Sequence, residues 1–275
     1  MPDPRPDQII VKTRAIGINP ADTAVQKHGM VYDASKHPLI LGLDVAGEVY
    51  KVGCNIINFH PGDRVCGHSV DMTPEMESQR GSFQVYCAVK ASLAAKVPDN
   101  VSFSEAAVFP SCFSVAAYSM FLKDTMSMEL PPLDGSARPN GQVVVIWGGS
   151  SVVGSCAIQM AKLAGYEVVA TASEMNFEHC QNLGATKVFD YKSANVVEDI
   201  IAACQNKVFA GVLVAYFSND STVAASKIAS QLSGNKIVGT VVPPHMATPE
   251  GVAEGVKITA SKCSSIFYAL KGSEG

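Results

Sequence analysis

The sequence predicts an α/β protein in two parts, a small barrel-like β domain followed by a doubly wound parallel sheet. Three observations carry this. Up to about Val97, short β-like runs alternate with turn residues and no helical periodicity is sustained. Beyond Gly141, strand-like and helix-like segments alternate regularly. A glycine-rich turn, Gly148-Gly149-Ser150-Ser151-Val152-Val153-Gly154, joins the first strand of that second part to its first helix. The domain borders drawn on this basis are 1–123 and 124–275.

In the first part, Gln8 to Arg14, Asp44 to Val52, Arg64 to Cys66 and Phe83 to Ala88 read as strands. Asn19-Pro20, Gly53, Pro61-Gly62-Asp63 and Gly81-Ser82 supply the turns between them. From Ser104 to Leu122 the spacing of Ala106, Ala107, Val115, Ala116, Met120 and Phe121 favours helix, which Pro110 must break or kink. Asp124 to Gly141, with Pro131, Pro132, Gly135 and Pro139, is expected on the surface as a loop.

The second part opens on the apolar strand Gln142 to Trp147 and a helix from Ser151 to Ala164, ended by Gly165. Tyr166 to Ala172 is the next strand, and Asn176 to Leu183 a helix closed by Gly184. Lys187 to Asp190, Ala210 to Tyr216 and Asn235 to Val242 follow as strands, separated by helices over Val196 to Cys204 and Thr222 to Leu232. This rhythm implies a parallel sheet covered on both faces.

The 275 residues are 47% hydrophobic and 17% charged, enough to bury a full core. Basic residues number 21 against 25 acids, a formal net charge of −4, and no run concentrates like charges. Nucleic acid and anionic membranes are therefore poor partners. Apolar runs fall far short of the roughly 20 residues of a membrane-spanning helix. The start, Met1-Pro2-Asp3-Pro4-Arg5-Pro6, has no secretory pattern, so a cytoplasmic location is expected. Eight cysteines without any C-x-x-C pair are expected to be reduced, small core residues.

The glycine turn has the strand-turn-helix setting that a dinucleotide fingerprint requires. Glycines let the chain reverse sharply and let backbone amides approach a pyrophosphate at a helix N-terminus. Ser150 stands where the second glycine of the usual G-x-G-x-x-G would be. A tight turn that holds no ligand is the alternative reading. The end of the next strand, Ala172-Ser173-Glu174-Met175-Asn176, bears on which dinucleotide binds. Ser173 fits a 2′-phosphate, Glu174 opposes it if turned inward, and no basic residue stands beside them. Both readings stay open.

With these residues in view, the chain resembles the zinc-independent branch of the medium-chain dehydrogenase/reductase superfamily. Within it, quinone-oxidoreductase-like proteins and fungal trans-acting enoyl reductases are the most similar. The resemblance rests on Gly17-Ile18-Asn19-Pro20-Ala21-Asp22, Leu41 to Val49, Phe59 to Val65, Gly81 to Tyr86 and the Gly148 to Gly154 turn. It implies a GroES-like β-barrel domain, then a Rossmann domain, with cofactor and substrate in the cleft between them. NADPH is the implied hydride donor. The implied acceptor is a small molecule with an activated carbon–carbon double bond, an enone or an enoyl thioester presented by a carrier protein of a polyketide synthase.

By position, Gly148, Gly149, Ser150, Ser151, Val152, Val153 and Gly154 would line the pyrophosphate. Ser173 and Asn176 would lie at the 2′-phosphate and Tyr191 at the adenosine side, with Asn19 and Ser111 near nicotinamide and substrate. Tyr32, Tyr118, Ser111 or water could donate the proton. No metal is expected. Zinc-dependent relatives carry ligands where this chain has Asn19-Pro20 and Leu43-Asp44, and His28, His37, His60 and His68 are spaced like turn residues.

The chain departs from its fungal relatives at Thr23-Ala24, where they carry Trp-Lys, at Glu174-Met175, where a lysine is usual, and at Val214, where an acid is usual. Tyr216 and Phe217 are expected to crowd the nicotinamide side. Relatives also continue past the position of Gly275 to complete the first domain, so the second domain is incomplete by comparison. Pairing with a second copy through that region is the expectation. These departures motivate a second hypothesis, a non-redox descendant that keeps the cofactor as scaffold or reuses the cleft for another reaction.

Overall fold

A computed structural model describes residues 3–28, 40–69, 81–136, 138–242 and 248–260. Tyr32, His37 and residues 261–275 lie outside these residues, and with them the expectation about the end of the chain. Two compact units divide at residues 112 and 113. The chain passes from one to the other inside a helix, at whose far end the sequence reading places the border.

Unit 1 is built on strands β1 (Gln8–Gly17), β2 (Asp44–Val52), β3 (Arg64–His68), β4 (Tyr86–Lys90) and β5 (Ala94–Lys96). They form an antiparallel sheet of order β4-β1-β2-β3-β5. β1 shifts register against β2 between Ile10 and Val11 and again between Thr13 and Ala15, the extra residues that bend and twist a long strand. Ile9, Val11, Val45, Val49, Phe59, Val65, Cys87 and Val89 form one apolar layer. Ala46, Cys66 and Val97 form another with Ala106 and Ala107 of helix α2 (Phe103–Ala107).

Helix α1 (Pro20–His28) fills the stretch that the sequence presents as a turn. Proline has no N–H to lose at the first helical position, and its fixed φ suits a helix start. The Asn19 backbone N–H donates to Asp22 Oδ2 at 2.7 Å, capping that start. Pro110 does break the helix read over Ser104 to Leu122: α2 ends at Ala107, and α3 (Pro110–Phe121) begins on the proline itself.

Unit 2 holds β6 (Gln142–Trp147), α4 (Val152–Leu163), β7 (Glu167–Ala172), α5 (Phe177–Leu183), β8 (Lys187–Asp190), α6 (Val196–Cys204), β9 (Val208–Val214), α7 (Asn219–Gln231), β10 (Ile237–Thr240) and β11 (Lys257–Ala260). All strand pairs are parallel, in the order β11-β10-β9-β6-β7-β8. Alternation along β6 explains the layers. Val144 and Ile146 face a core with Ile158 and Ala161 of α4, whereas Val143, Val145 and Trp147 face Ile200 of α6 and Ile228 of α7. Each wholly buried valine or isoleucine contributes roughly 1.5–3 kcal/mol.

Two expectations need correction, and one strand lies where the sequence pattern reads none. Part of the Asp124–Gly141 loop is core: Met126 and Met128 are buried against Val144 and Ile146, while Leu130 and Leu133 are exposed. The strand read as Ala210 to Tyr216 runs from Val208 to Val214, so Tyr216 lies past its end and is 67% exposed. β11, which has no apolar pattern of its own, pairs along β10.

Candidate functional site

In unit 2 the strand order reverses beside β6: β7 and β8 lie on one side, β9 to β11 on the other. A crevice opens at the carboxyl ends of the strands at such a switch point, where dinucleotides bind. The Gly148 to Gly154 turn leaves β6 at this place. Its glycines are required. Gly148 has φ +86°, and a Cβ there would press on Tyr216 at 2.9 Å. A Cβ on Gly154 would overlap the Gly148 carbonyl oxygen and stand 2.8 Å from Gly149 Cα.

Hydrogen bonds hold the turn closed. The Gly148 N–H donates to Thr171 Oγ1 at 3.0 Å and the Gly149 N–H to the Thr171 carbonyl at 2.8 Å, which ties the turn to β7. Ser151 caps α4 by accepting the Gly154 N–H at 3.0 Å, and its hydroxyl donates to the Gly148 carbonyl at 2.8 Å. The amides of Val152 and Val153 head the helix, with no intrahelical acceptor by position. A backbone cradle with no room for a side chain, ending in open amides at the positive end of a helix dipole, fits a pyrophosphate. Thr171 was not singled out by sequence reasoning; a lone hydroxyl in an otherwise apolar strand end was its signal.

Ser173 and Asn176 come together. Asn176 Nδ2 donates to Ser173 Oγ at 2.9 Å. A short 3₁₀ turn, Glu174–Asn176, separates β7 from α5, so Asn176 precedes the helix that the sequence reading starts on it. Glu174 and Met175 point outward and are exposed. Tyr191 follows β8 and is 45% exposed.

Asn19 and Ser111 also come together, in unit 1, around a residue the sequence reading quoted only as standing where relatives hold zinc. Asp44 is 1% exposed at the start of β2. Its Oδ1 accepts the Ser111 N–H at 2.8 Å, and its Oδ2 accepts the Ser111 hydroxyl at 2.5 Å and Asn19 Nδ2 at 2.9 Å. Asn19 Oδ1 lies 3.2 Å from Ser111 Oγ. Burial raises the Asp44 carboxyl above the usual carboxylate range, while the charge of His68 and the Ser111 and Asn19 hydrogen bonds pull it part of the way back. His68, expected as a turn residue, is buried at the end of β3 opposite Asp44. An acid inside the apolar run Leu41 to Val49 was the signal for this cluster, because a buried carboxylate demands partners. Tyr118 is buried in unit 2.

An antiparallel β unit ahead of a parallel sheet with a glycine turn at its switch point is the architecture of the dinucleotide-dependent dehydrogenases. Residues 5–99 match the alcohol dehydrogenase GroES-like domain, and residues 152–245 match the zinc-binding dehydrogenase domain. The chain is 40% identical over 245 residues to the dehydrogenase pigH of Monascus ruber, covering 88% of this chain and 66% of that protein. Identity to the dehydrogenase azaJ of Aspergillus niger is 36% over 253 residues, covering 90% and 72%. To the trans-enoyl reductase himH of Aspergillus japonicus it is 34% over 244 residues, covering 89% and 67%.

In fold, it matches an alcohol dehydrogenase superfamily protein from Novosphingobium aromaticivorans with a TM-score of 0.75 at 24% identity, covering 98% of this chain and 79% of that one. The Escherichia coli quinone oxidoreductase solved with NADPH matches with a TM-score of 0.66 at 21% identity, covering 100% and 79%. The chain belongs to the medium-chain dehydrogenase/reductase superfamily, among its enoyl-reductase-like members. It spans about two thirds of the length of the Monascus ruber relative.

The zinc that the second domain's name implies finds no matching donor set among the described residues. No group of three or more His, Cys, Asp or Glu side chains there could hold a metal ion. A catalytic zinc needs three such ligands, and both oxygens of Asp44 are taken by Ser111 and Asn19. Nor is any helix among these residues long and apolar enough to cross a membrane.

Proposed function

We propose that the chain is a zinc-independent, NADPH-dependent reductase of an activated carbon–carbon double bond, conjugated to the carbonyl of an enone or enoyl thioester. The observation that carries this reading is the glycine cradle at the switch point, with Gly154 packed against Gly148 and the amides of Val152 and Val153 open at the head of α4. The fungal trans-enoyl reductase relative supports the acceptor class, and the carrier-bound thioester of a polyketide synthase is its proposed form.

The reduced dinucleotide, when bound, supplies the hydride. The protein's share is positioning. The Val152 and Val153 amides meet the pyrophosphate, with Ser151 fixing their helix turn. Ser173 and Tyr191 receive the adenosine half. In unit 1, Asp44 locks one N–H of the Asn19 amide, and Asn19 with it presents its remaining polar edge to the acceptor. The Ser111 hydroxyl spends its proton on Asp44, so it orients Asn19 and the carboxylate and is not itself the proton donor. Water and Tyr32, which lies outside the described residues, remain the candidates for that proton.

Fluorescence titration with NADPH and NADH, followed by loss of dihydronicotinamide absorbance with a crotonyl thioester, tests the reading. Saturable binding with turnover supports it. Binding without turnover across several enones and enoyl thioesters would favour the non-redox descendant, and no binding of either dinucleotide would reject both.

A further inference from the structure

We infer that Lys192 is the cation that reads the 2′-phosphate of the dinucleotide, an assignment that rests on the nicotinamide-dependent reading above. The sequence places Glu174 and Met175 directly after Ser173, so a 2′-phosphate there has no basic neighbour along the chain. The sheet supplies one from the next strand. β7 and β8 run parallel with Ala172 opposite Asp190, so Ser173 and Tyr191 leave adjacent strands at the same level and at the carboxyl end of the sheet. Nucleotide ribose lies along that edge in this topology.

Lys192 comes next. Its backbone N–H donates to Asp190 Oδ1 at 3.0 Å, which fixes the turn after β8. Its Nζ stands 5.7 Å from the centroid of the Tyr191 ring. An ammonium held against a half-exposed aromatic ring offers a flat apolar face for a purine and a charge beside it for a phosphate. Ser173 supplies the other side. Its Oγ accepts from Asn176, and its own proton has no acceptor among the described residues, so it is available to an anion.

The acids at this edge are less well placed for the alternative site. A dinucleotide without the phosphate calls for a carboxylate accepting its ribose 2′-hydroxyl. Asp190 Oδ1 is engaged by the Lys192 amide, and Glu174 is exposed on the 3₁₀ turn. Among the described residues this hydroxyl proton and this ammonium are donors with no hydrogen-bond acceptor, the combination that suits a phosphate.

The test is calorimetric titration of the full chain and of Lys192→Gln with 2′,5′-ADP and 5′-AMP, alongside fluorescence titration with NADPH and NADH. The wild type is expected to bind the two 2′-phosphorylated ligands at least about tenfold more tightly than their counterparts, with the preference shrinking as salt rises. Lys192→Gln is expected to weaken 2′,5′-ADP and NADPH by about tenfold and leave 5′-AMP and NADH unchanged, and Lys192→Arg to keep the preference. A wild-type preference for NADH, or a Lys192→Gln variant that keeps the full NADPH preference, overturns the assignment while the nicotinamide reading stands. A wild type that binds neither dinucleotide overturns both.

Discussion

The Ser111 hydroxyl donates to Asp44 Oδ2 across 2.5 Å, while the Ser111 backbone N–H meets Oδ1 of the same carboxylate at 2.8 Å. One residue thus satisfies both oxygens of a buried acid. Ser111→Ala keeps the backbone donor and loses the hydroxyl, leaving Asp44 with one hydrogen bond fewer to its charge. The expected cost is about 1–3 kcal/mol in urea unfolding. Turnover should fall with it while NADPH affinity stays unchanged, and Ser111→Thr should restore both stability and rate. A hydroxyl acting on the substrate itself would lower turnover at unchanged stability.

Asp44 also sets a pH dependence. Burial holds its carboxyl above the ordinary 3.8, and Asp22 shares that direction for the same reason. A raised native value means that the folded state holds the proton more tightly than the unfolded chain does. The stability gained in this way is complete below pH 3.8 and is lost as pH rises through the raised native value. Half-buried Asp63 and exposed Glu105 and Asp134 are shifted down by hydrogen bonds and run the other way, losing their contribution as pH falls. Asp44→Asn leaves those groups untouched. Urea midpoints across the acid range should therefore show the wild type losing ground to the variant as pH rises above 3.8, and parallel curves would contradict this.

What was legible follows from how local each signal is. β2, β6, β8 and α6 stand on the residues the sequence pattern assigns them, because apolar residues define each of these segments locally. The glycine turn is equally local: a strand, a reversal and a helix within a few residues. α1 was hidden because Asn19-Pro20 signals a turn as strongly as a helix start, and the deciding Asp22 lies inside the next turn of chain. β11 owes its strand to its neighbour β10, which propensity over four residues does not reveal. The Asn19, Asp44 and Ser111 cluster joins residues far apart in sequence, and Lys192 reaches the Ser173 edge only through strand pairing.

The cysteines give a chemical check on the core. Cys66, Cys87, Cys156, Cys180 and Cys204 are buried as expected, whereas Cys54 is exposed on the turn after β2. Burial pushes the Cys87 thiol up to about 12 and the Cys204 thiol up to about 11, so neither forms much thiolate at neutral pH. Brief alkylation of the native protein followed by peptide mass spectrometry should modify Cys54 and spare the five buried thiols until denaturant is added. Early labelling of Cys87 would contradict the packing of unit 1.

Gly154 ties the fold of unit 2 to its proposed ligand. A Cβ there would meet the Gly148 carbonyl oxygen and Gly149 Cα, both backbone, so nothing flexible can give way. The Gly148 carbonyl also accepts the Ser151 hydroxyl, and Ser151 Oγ accepts the Gly154 N–H, so displacing one disturbs the whole ring. Gly154→Ala should therefore cost roughly 1–3 kcal/mol and tilt the head of α4 away from the turn. The three atoms nearest a Cβ at Gly149 belong to side chains, Ile158 Cδ1 at 3.0 Å, Ala170 Cβ at 3.1 Å and Cys180 Sγ at 3.2 Å, so Gly149→Ala leaves the amides of the turn nearer their places. Saturating ligand at a hundred times its Kd adds about 2.7 kcal/mol to a protein that binds it only when folded. Thermal melts with and without NADPH should show that gain in the wild type, a reduced gain in Gly149→Ala and almost none in Gly154→Ala. An equal shift in all three proteins would mean that the dinucleotide binds away from this turn, because a ligand resting on those amides must feel the difference between a displaced backbone and a displaced side chain.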